Sequence, residues 1–299
     1  MKIGITGASG MLGTALVRHF SKSYKVFATS RSKGAEGRGI EWDCFNLTNI
    51  ELLNKWLNKI KPDIVIHCAA IVNVDACEGN VDLATALHFE TTKVISDYLD
   101  HNNGRLIYIS TDSVFDGEKQ GAYSEADTVN PLNIYAKTKL MGEELVQSMN
   151  NGLVLRTNII GWTQGANTSF AEWVLEGLIG NAPLNLFYDV NFSPLTVYDL
   201  SIIIEKIVKQ PLFGLYHCAS SDSISKYNFG NKMAEIFQLS SSNINKVSVD
   251  IMTFKASRPK NMALNVKKIS TILKYDLPST EDSLRAMKRQ YDKNKDLLN

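Results

Sequence analysis

The feature that most restricts what this 299-residue chain can become is a glycine turn set between a strand and a helix at its start. Residues 2–6, Lys-Ile-Gly-Ile-Thr, form an apolar run of strand length. Gly7-Ala8-Ser9-Gly10-Met11-Leu12-Gly13 follows, and 14–20 has the apolar spacing of a helix. Glycines at 7, 10 and 13 let the chain turn tightly, bring backbone N–H groups close to a pyrophosphate at the positive end of the helix, and pack helix against strand. The spacing is G-x-x-G-x-x-G and not G-x-G-x-x-G, so its force comes from the strand before it and the helix after it. Gly7, Ser9, Gly10, Met11, Leu12 and Gly13 are the candidate cradle of a dinucleotide.

The alternation continues. Apolar runs at 2–6, 25–30, 39–43, 63–70, 105–111 and 152–158 are separated by segments of helical period near 11–20, 48–60, 81–100 and 133–149. This pattern predicts βαβ units and an α/β fold: a Rossmann-like, doubly wound parallel sheet with helices on both faces. Beyond Asn158 the alternation breaks. Short strand candidates at 184–187, 195–197, 215–219 and 246–249 lie among helices near 168–180, 198–208, 224–238 and 280–296, with prolines at 183, 194, 211 and 259 marking loops. The expected division is a dinucleotide-binding domain over 1–158 and a smaller C-terminal α/β substrate lobe over 159–299, some of whose segments return to the main sheet.

In such a sheet the ligand sits at the carboxyl ends of the strands. At the end of the second strand, where an acid usually meets the ribose 2′-hydroxyl, the chain carries Ser30-Arg31-Ser32-Lys33. Two cations and no acid accommodate a 2′-phosphate, so NADP(H) is preferred, with NAD(H) the other possibility. The remaining strand ends carry Asp43-Cys44, His67-Cys68-Ala69-Ala70, Ser110-Thr111-Asp112 and Arg156-Thr157-Asn158. Small residues such as Ala69 and Ala70 allow a flat cofactor to approach closely. Tyr135 and Lys139, four residues apart on a helical segment, share one face, so the ammonium can lie under the phenol. A cation there favours the phenolate and draws a pKa of about 10 toward neutrality, while Thr111 can share a substrate oxygen with the tyrosine. Arg258, fixed before Pro259, can hold a phosphate bidentately.

Composition excludes several classes. Thirty-two basic and 31 acidic residues give a formal charge of +1, which suggests neither a nucleic-acid nor a membrane-surface partner. The longest apolar stretch, 64–74, is broken by His67 and Asn73 and falls short of a membrane span. Cysteines at 44, 68, 77 and 218 have no paired spacing, which fits free thiols in a reducing, cytoplasmic setting. The histidines at 19, 67, 88, 101 and 217 form no cluster of metal-ligand spacing, so no metal is expected.

Together these residues resemble the extended short-chain dehydrogenase/reductases, and within them the dTDP-4-dehydrorhamnose reductase group, along nearly the whole chain. The most specific matches are I-T-G-A-S-G-M-L-G at 5–13, K-P-D-I-V-I-H-C-A-A at 61–70, V-D-A-C-E at 74–78, S-T-D-S-V-F-D-G at 110–117, P-L-N-I-Y-A-K-T-K-L-M-G-E at 131–143, G-L-Y-H at 214–217 and Arg258-Pro259. The resemblance implies a catalytic triad of Thr111, Tyr135 and Lys139 and reduction of a sugar C4 ketone for cell-surface polysaccharide precursors. It implies adenine-side contacts at Asp43 and Cys44 and cofactor contacts at Cys68, Ala69, Ala70, Tyr135 and Lys139. Sugar-side contacts are implied at Val72 and Val74, with Asp112 and Asn158 at neighbouring strand ends, and Arg258 would hold the phosphates of a nucleotide sugar. A homodimer paired through the helix of Tyr135 is also expected.

The departures fall in the substrate region. Arg156-Thr157-Asn158-Ile159 stands where the rhamnose enzymes usually continue Arg-Thr-Ser-Trp, and Phe192-Ser193-Pro194-Leu195 where a Pro-Thr pair is common. The reductase class is thus better supported than the sugar. A dehydratase needs an acid pair after the threonine, whereas here Asp112 is followed by Ser113. An epimerase of the same superfamily and a non-catalytic NADP-binding regulatory subunit remain as alternatives.

Overall fold

A computed structural model describes residues 1–34, 37–163 and 168–296. The first half runs β1 (Lys2–Thr6), α1 (Met11–Phe20), β2 (Lys25–Ser30), β3 (Ile40–Cys44), α2 (Ile50–Ile60) and β4 (Ile64–His67). It continues through α3 (Val74–Gly79), α4 (Val81–Thr85), a five-residue π turn (Ala86–Glu90), α5 (Thr91–His101), β5 (Arg105–Thr111), α6 (Ile134–Gln147) and β6 (Gly152–Thr157). The second half holds β7 (Ile159–Ile160), α7 (Phe170–Ile179), β8 (Leu184–Phe187), β9 (Asn191–Phe192), β10 (Leu195–Thr196), α8 (Val197–Lys209) and β11 (Gly214–His217). It ends with β12 (Ile224–Ser225), α9 (Lys226–Phe237), β13 (Ile244–Val247), β14 (Asn261–Met262), α10 (Lys267–Leu273) and α11 (Thr280–Asp296).

Seven strands form one parallel sheet in the order β11-β6-β5-β4-β1-β2-β3. Strand order reverses beside β1, which is the doubly wound Rossmann-like topology expected from the alternation. The central strands read as continuous hydrophobic runs because both faces are covered. On one face Ile3, Ile5, Leu16, Phe20, Ile203, Ile204 and Ile207 share a core. On the other, Leu53, Leu57, Val65, Ile95, Leu99 and Tyr108 pack together. A separate core formed by Phe170, Leu184, Leu186, Phe192, Phe229 and Met233 lies within the second half.

Three details differ from the reading of the alternation. β4 ends at His67 and not at residue 70, because the chain leaves the sheet where the His67 ring meets the Thr6 hydroxyl at 2.6 Å. The helical run over 81–100 contains the π turn, whose extra residue shifts the helix face. The segment expected near 215–219 becomes β11, paired with β6 as the last strand of the main sheet, and α8 packs on α1 with His19 and Glu205 2.7 Å apart. β11 of the second half thus lies in the sheet of the first. Among the described residues no helix is long and apolar enough to cross a membrane.

Candidate active site

The glycine turn is built for close approach. Gly7 has φ +62, and a Cβ there would lie 2.7 Å from the backbone of Ala69. At Gly13 a Cβ would lie 2.2 Å from the Gly7 carbonyl oxygen. Helix α1 starts at Gly10 without a side-chain cap, so its first N–H groups remain available to a ligand. Leu12 is buried and anchors the turn, whereas Ser9 and Met11 are partly exposed on its rim. Cys68, Ala69 and Ala70 lie against this turn, and burial pushes the Cys68 thiol up to about 12, which leaves it neutral. Arg31 is exposed at the end of β2. Asp43, at the end of β3, is held by Lys59 at 2.7 and 3.0 Å, beside the exposed Cys44.

Thr111 ends β5, and α6 lays Tyr135, Lys139 and Glu143 along one face at successive turns. Asn133 caps α6 by accepting from the Ala136 N–H, while Glu78 accepts from the Ile134 N–H, which satisfies two N–H groups at the start of the helix. Lys139 Nζ donates to the Ile109 carbonyl at 2.7 Å and lies 3.9 Å from the centre of the Tyr108 ring. Burial pushes this ammonium down to about 7, with Glu143 pulling the other way. The Tyr135 phenol is pushed up to about 12, chiefly by burial, and the Thr111 hydroxyl draws it back. The expected downward pull of Lys139 does not set this phenol's pKa. Burial outweighs it, and the ammonium is engaged by Ile109 and Tyr108.

Glu143 and Arg156 form a fully buried pair, with contacts of 2.7 and 3.1 Å and the Ser110 hydroxyl donating to the same carboxylate. The pair joins α6 to β5 and β6. His88, in the π turn, accepts from the Ile71 N–H at 2.9 Å, so its other nitrogen donates to Thr138 Oγ1 at 2.8 Å. Its ring meets Tyr135 edge-on at 5.7 Å, and burial holds it neutral, down to about 3. His88 thereby ties the loop after β4 to the helix of Tyr135.

The opposite wall comes from the second half. Arg258 meets Asp75 of α3 at 2.9 Å and stacks 4.2 Å over Phe254. Gly117, with φ +83, lets the loop after β5 pass against the backbone of Lys260 and Asn261. Asn158 donates to Asp112 Oδ2 at 2.6 Å, and Thr111 and Ser113 donate to its Oδ1. Burial raises the Asp112 carboxyl, and the hydrogen bonds from Asn158, Thr111 and Ser113 counter it, with the charge of Lys226 adding a smaller pull in the same direction. Val74 starts α3 and is partly buried, whereas Val72 is 76% exposed at the loop tip. Thr111, Tyr135, Lys139, Asp112 and Asn158 are brought together. Arg258, Val72 and Val74 lie on the facing wall, with Arg31, Asp43 and Cys44 at the far end of the sheet.

Sequence reasoning passed over Glu143, His88, Asp75 and Lys226. For Glu143 a signal existed, since it continues the four-residue spacing of Tyr135 and Lys139. The others depend on contacts between distant segments. An open cleft of about 480 Å³ between the 117–121 loop, Asp189 and Lys260 contains none of the triad.

A doubly wound sheet with a glycine cradle, a threonine at a strand end and a Tyr-x-x-x-Lys helix beside it defines an extended short-chain dehydrogenase/reductase. Within that class the chain belongs to the family described as the RmlD substrate binding domain, whose model matches residues 1–293. It is 28% identical over 296 residues to the probable low-salt glycan biosynthesis reductase Agl14 of Haloferax volcanii, covering 96% of this chain and 97% of that one. It is 30% identical to methionine adenosyltransferase 2 subunit beta of Xenopus laevis, over 89% of this chain and 80% of that one. The crystal structure of dTDP-4-dehydrorhamnose reductase from Bacillus anthracis in complex with NADP superposes with a TM-score of 0.83 at 26% identity, covering 97% of this chain and 99% of that one.

Proposed function

We propose that this chain carries out NADPH-dependent reduction of the C4 ketone of a nucleotide-activated 4-keto-6-deoxy sugar. The meeting of Thr111, Tyr135 and Lys139 beside the Gly7–Gly13 cradle is the observation that carries the reading. The cradle suits a dinucleotide, since Gly7 and Gly13 let the turn close tightly against Ala69 and Ala8 and the start of α1 carries no side-chain cap, which leaves its first N–H groups for a pyrophosphate. In this reading the turn from Gly7 to Gly13 holds the pyrophosphate and Arg31 the 2′-phosphate. Asp43 and Cys44 border the adenine, Cys68, Ala69 and Ala70 line the approach, and Lys139 reaches the ribose. The NADP complex of the B. anthracis relative and the run Ser30-Arg31-Ser32-Lys33, which holds two cations and no acid, support NADPH over NADH.

When bound, NADPH supplies a hydride to the ketone carbon. The work of the chain lies at the oxygen. Tyr135, protonated far above neutral pH, donates its proton as negative charge develops there, and Thr111 donates a second hydrogen bond. Lys139, whose ammonium burial pushes down to about 7, sits one helical turn from the phenol and supplies positive charge there in its protonated form. Arg258 holds the phosphates, Val72 and Val74 border the sugar, and Asp112 and Asn158 meet its hydroxyls.

The 30% identity to a methionine adenosyltransferase subunit favours one second reading, a subunit that binds NADP without turnover. Steady-state oxidation of NADPH, with NADH as control, across dTDP-, UDP- and GDP-4-keto-6-deoxyhexoses separates the two. Turnover lost in Tyr135→Phe supports the reductase, and tight NADPH binding with no turnover supports the subunit. The expected homodimer belongs to the same proposal and is tested by light scattering of the eluted protein.

A further inference from the structure

Lys226 is the first residue of α9, in the second half of the chain, and the Phe192 ring beneath its ammonium belongs to β9, whose partner β14 carries Met262 against Ser113, next to Asp112. Nζ lies 4.0 Å from the centre of the Phe170 ring and 4.7 Å from that of Phe192. Among the described residues it has no hydrogen-bond acceptor and no carboxylate within ion-pairing distance, although it feels the charges of Asp112 and Arg258. Asp112 is anchored within the chain, Oδ1 accepting from Thr111 and Ser113 and Oδ2 from Asn158, which leaves Oδ2 room for one further donor. Lys226 is half-buried, so its ammonium keeps contact with solvent, and the aromatic faces leave its three donors uncommitted. The donors therefore remain for a ligand between Asp112, at the catalytic end, and Arg258, at the end assigned to phosphate.

We infer that Lys226 is a specificity-determining residue that donates to hydroxyl oxygens of the sugar ring, opposite Asp112, which accepts from them. The inference rests on the nucleotide-sugar reading and deepens it. A lysine and a carboxylate at one site suit a vicinal diol, because the ammonium supplies only donors and the carboxylate, when ionised, only acceptors. The two phenylalanine rings hold the ammonium itself in place, so it reads the position of a hydroxyl as well as its presence.

Isothermal titration of the NADP⁺-saturated protein tests this, with dTDP, UDP and GDP each used free and as its glucose ester. The wild type is expected to prefer the glucose ester of one nucleotide. Lys226→Met keeps the stem on the rings but removes the donors, and it is expected to lose about tenfold in affinity for that ester while binding the free diphosphate unchanged. Equal losses for ester and free diphosphate would put the ammonium on phosphate and overturn the inference. So would an unaltered preference, or a wild type that binds diphosphate and ester alike. A wild type that binds NADP⁺ but no nucleotide or ester overturns the nucleotide-sugar reading itself, and this inference with it. Unchanged NADP⁺ affinity in Lys226→Met establishes that the variant is folded.

Discussion

The catalytic floor and the wall that faces it hold their charges in different ways. On the floor, Glu143 and Arg156 are joined by three nitrogen–oxygen contacts with both side chains out of solvent, and a serine completes the carboxylate's shell. On the wall, Arg258 and Asp75 meet through one 2.9 Å contact with more than a third of each side chain exposed. The first arrangement has one geometry, since loosening it strands a buried charge. The second can exchange its partner for a phosphate at little expense, because exposed pairs contribute only about 0–1 kcal/mol. In the proposed reaction the proton donor must be held still, and the substrate clamp must let go.

That contrast can be broken by experiment. The largest effect is expected from Tyr135→Phe, which should lower turnover by about 10²–10⁴-fold, judged from general acid catalysis, while the melting temperature barely moves. Retained turnover would remove the floor's chemical role. Glu143→Ala should cost about 3–5 kcal/mol of unfolding free energy in urea titrations, the expected loss when one member of a buried pair is removed. A cost under about 1 kcal/mol, as for an exposed pair, would erase the distinction between the two sides.

Acid sharpens the contrast further. His88 and His217 are pushed down to about 3 by burial, from an ordinary value of 6.5. The unfolded chain takes up these protons below about 6.5, while the native state takes them only near 3, so stability is full above pH 6.5 and falls as pH drops toward 3. Thermal melts between pH 7 and pH 4 should register a loss of about 2–3 kcal/mol for each ring. His88→Asn should flatten that limb, and an unchanged slope would mean His88 is not held neutral. The smallest effect on stability belongs to Arg258→Ala, expected within about 1 kcal/mol of wild type. Its substrate KM should nevertheless rise about tenfold with kcat nearly constant. A fall in kcat instead would place Arg258 with the floor.

The floor was largely legible because regular elements carry their own ruler. Strand ends and a four-residue helical spacing locate Thr111, Tyr135 and Lys139 before any tertiary contact is known. The wall was legible only in parts. Its strands β7, β9, β10, β12 and β14 are two residues long, too short for a period, and they pair with segments remote in sequence. Lys226 opens an ordinary-looking helix after a serine cap, and only the folded chain sets it near Asp112. The π turn escaped notice for a related reason. One inserted residue barely disturbs a helical pattern, yet it turns His88 toward both Ile71 and Tyr135.

The last strand of the sheet also bears on how the chain is made. When a ribosome has extruded β6, one edge of that strand still has no neighbour, and its partner β11 emerges only after the whole stretch from α7 to α8. Until then a row of buried-type residues, Leu153, Val154 and Leu155, presents open peptide groups of the kind that recruit strands from other molecules. Synthesis thus passes through an interval in which Thr111, Tyr135 and Lys139 exist but the sheet beneath them has an exposed seam. Fast translation across residues 158–213, or a chaperone resting on that seam, would shorten the interval.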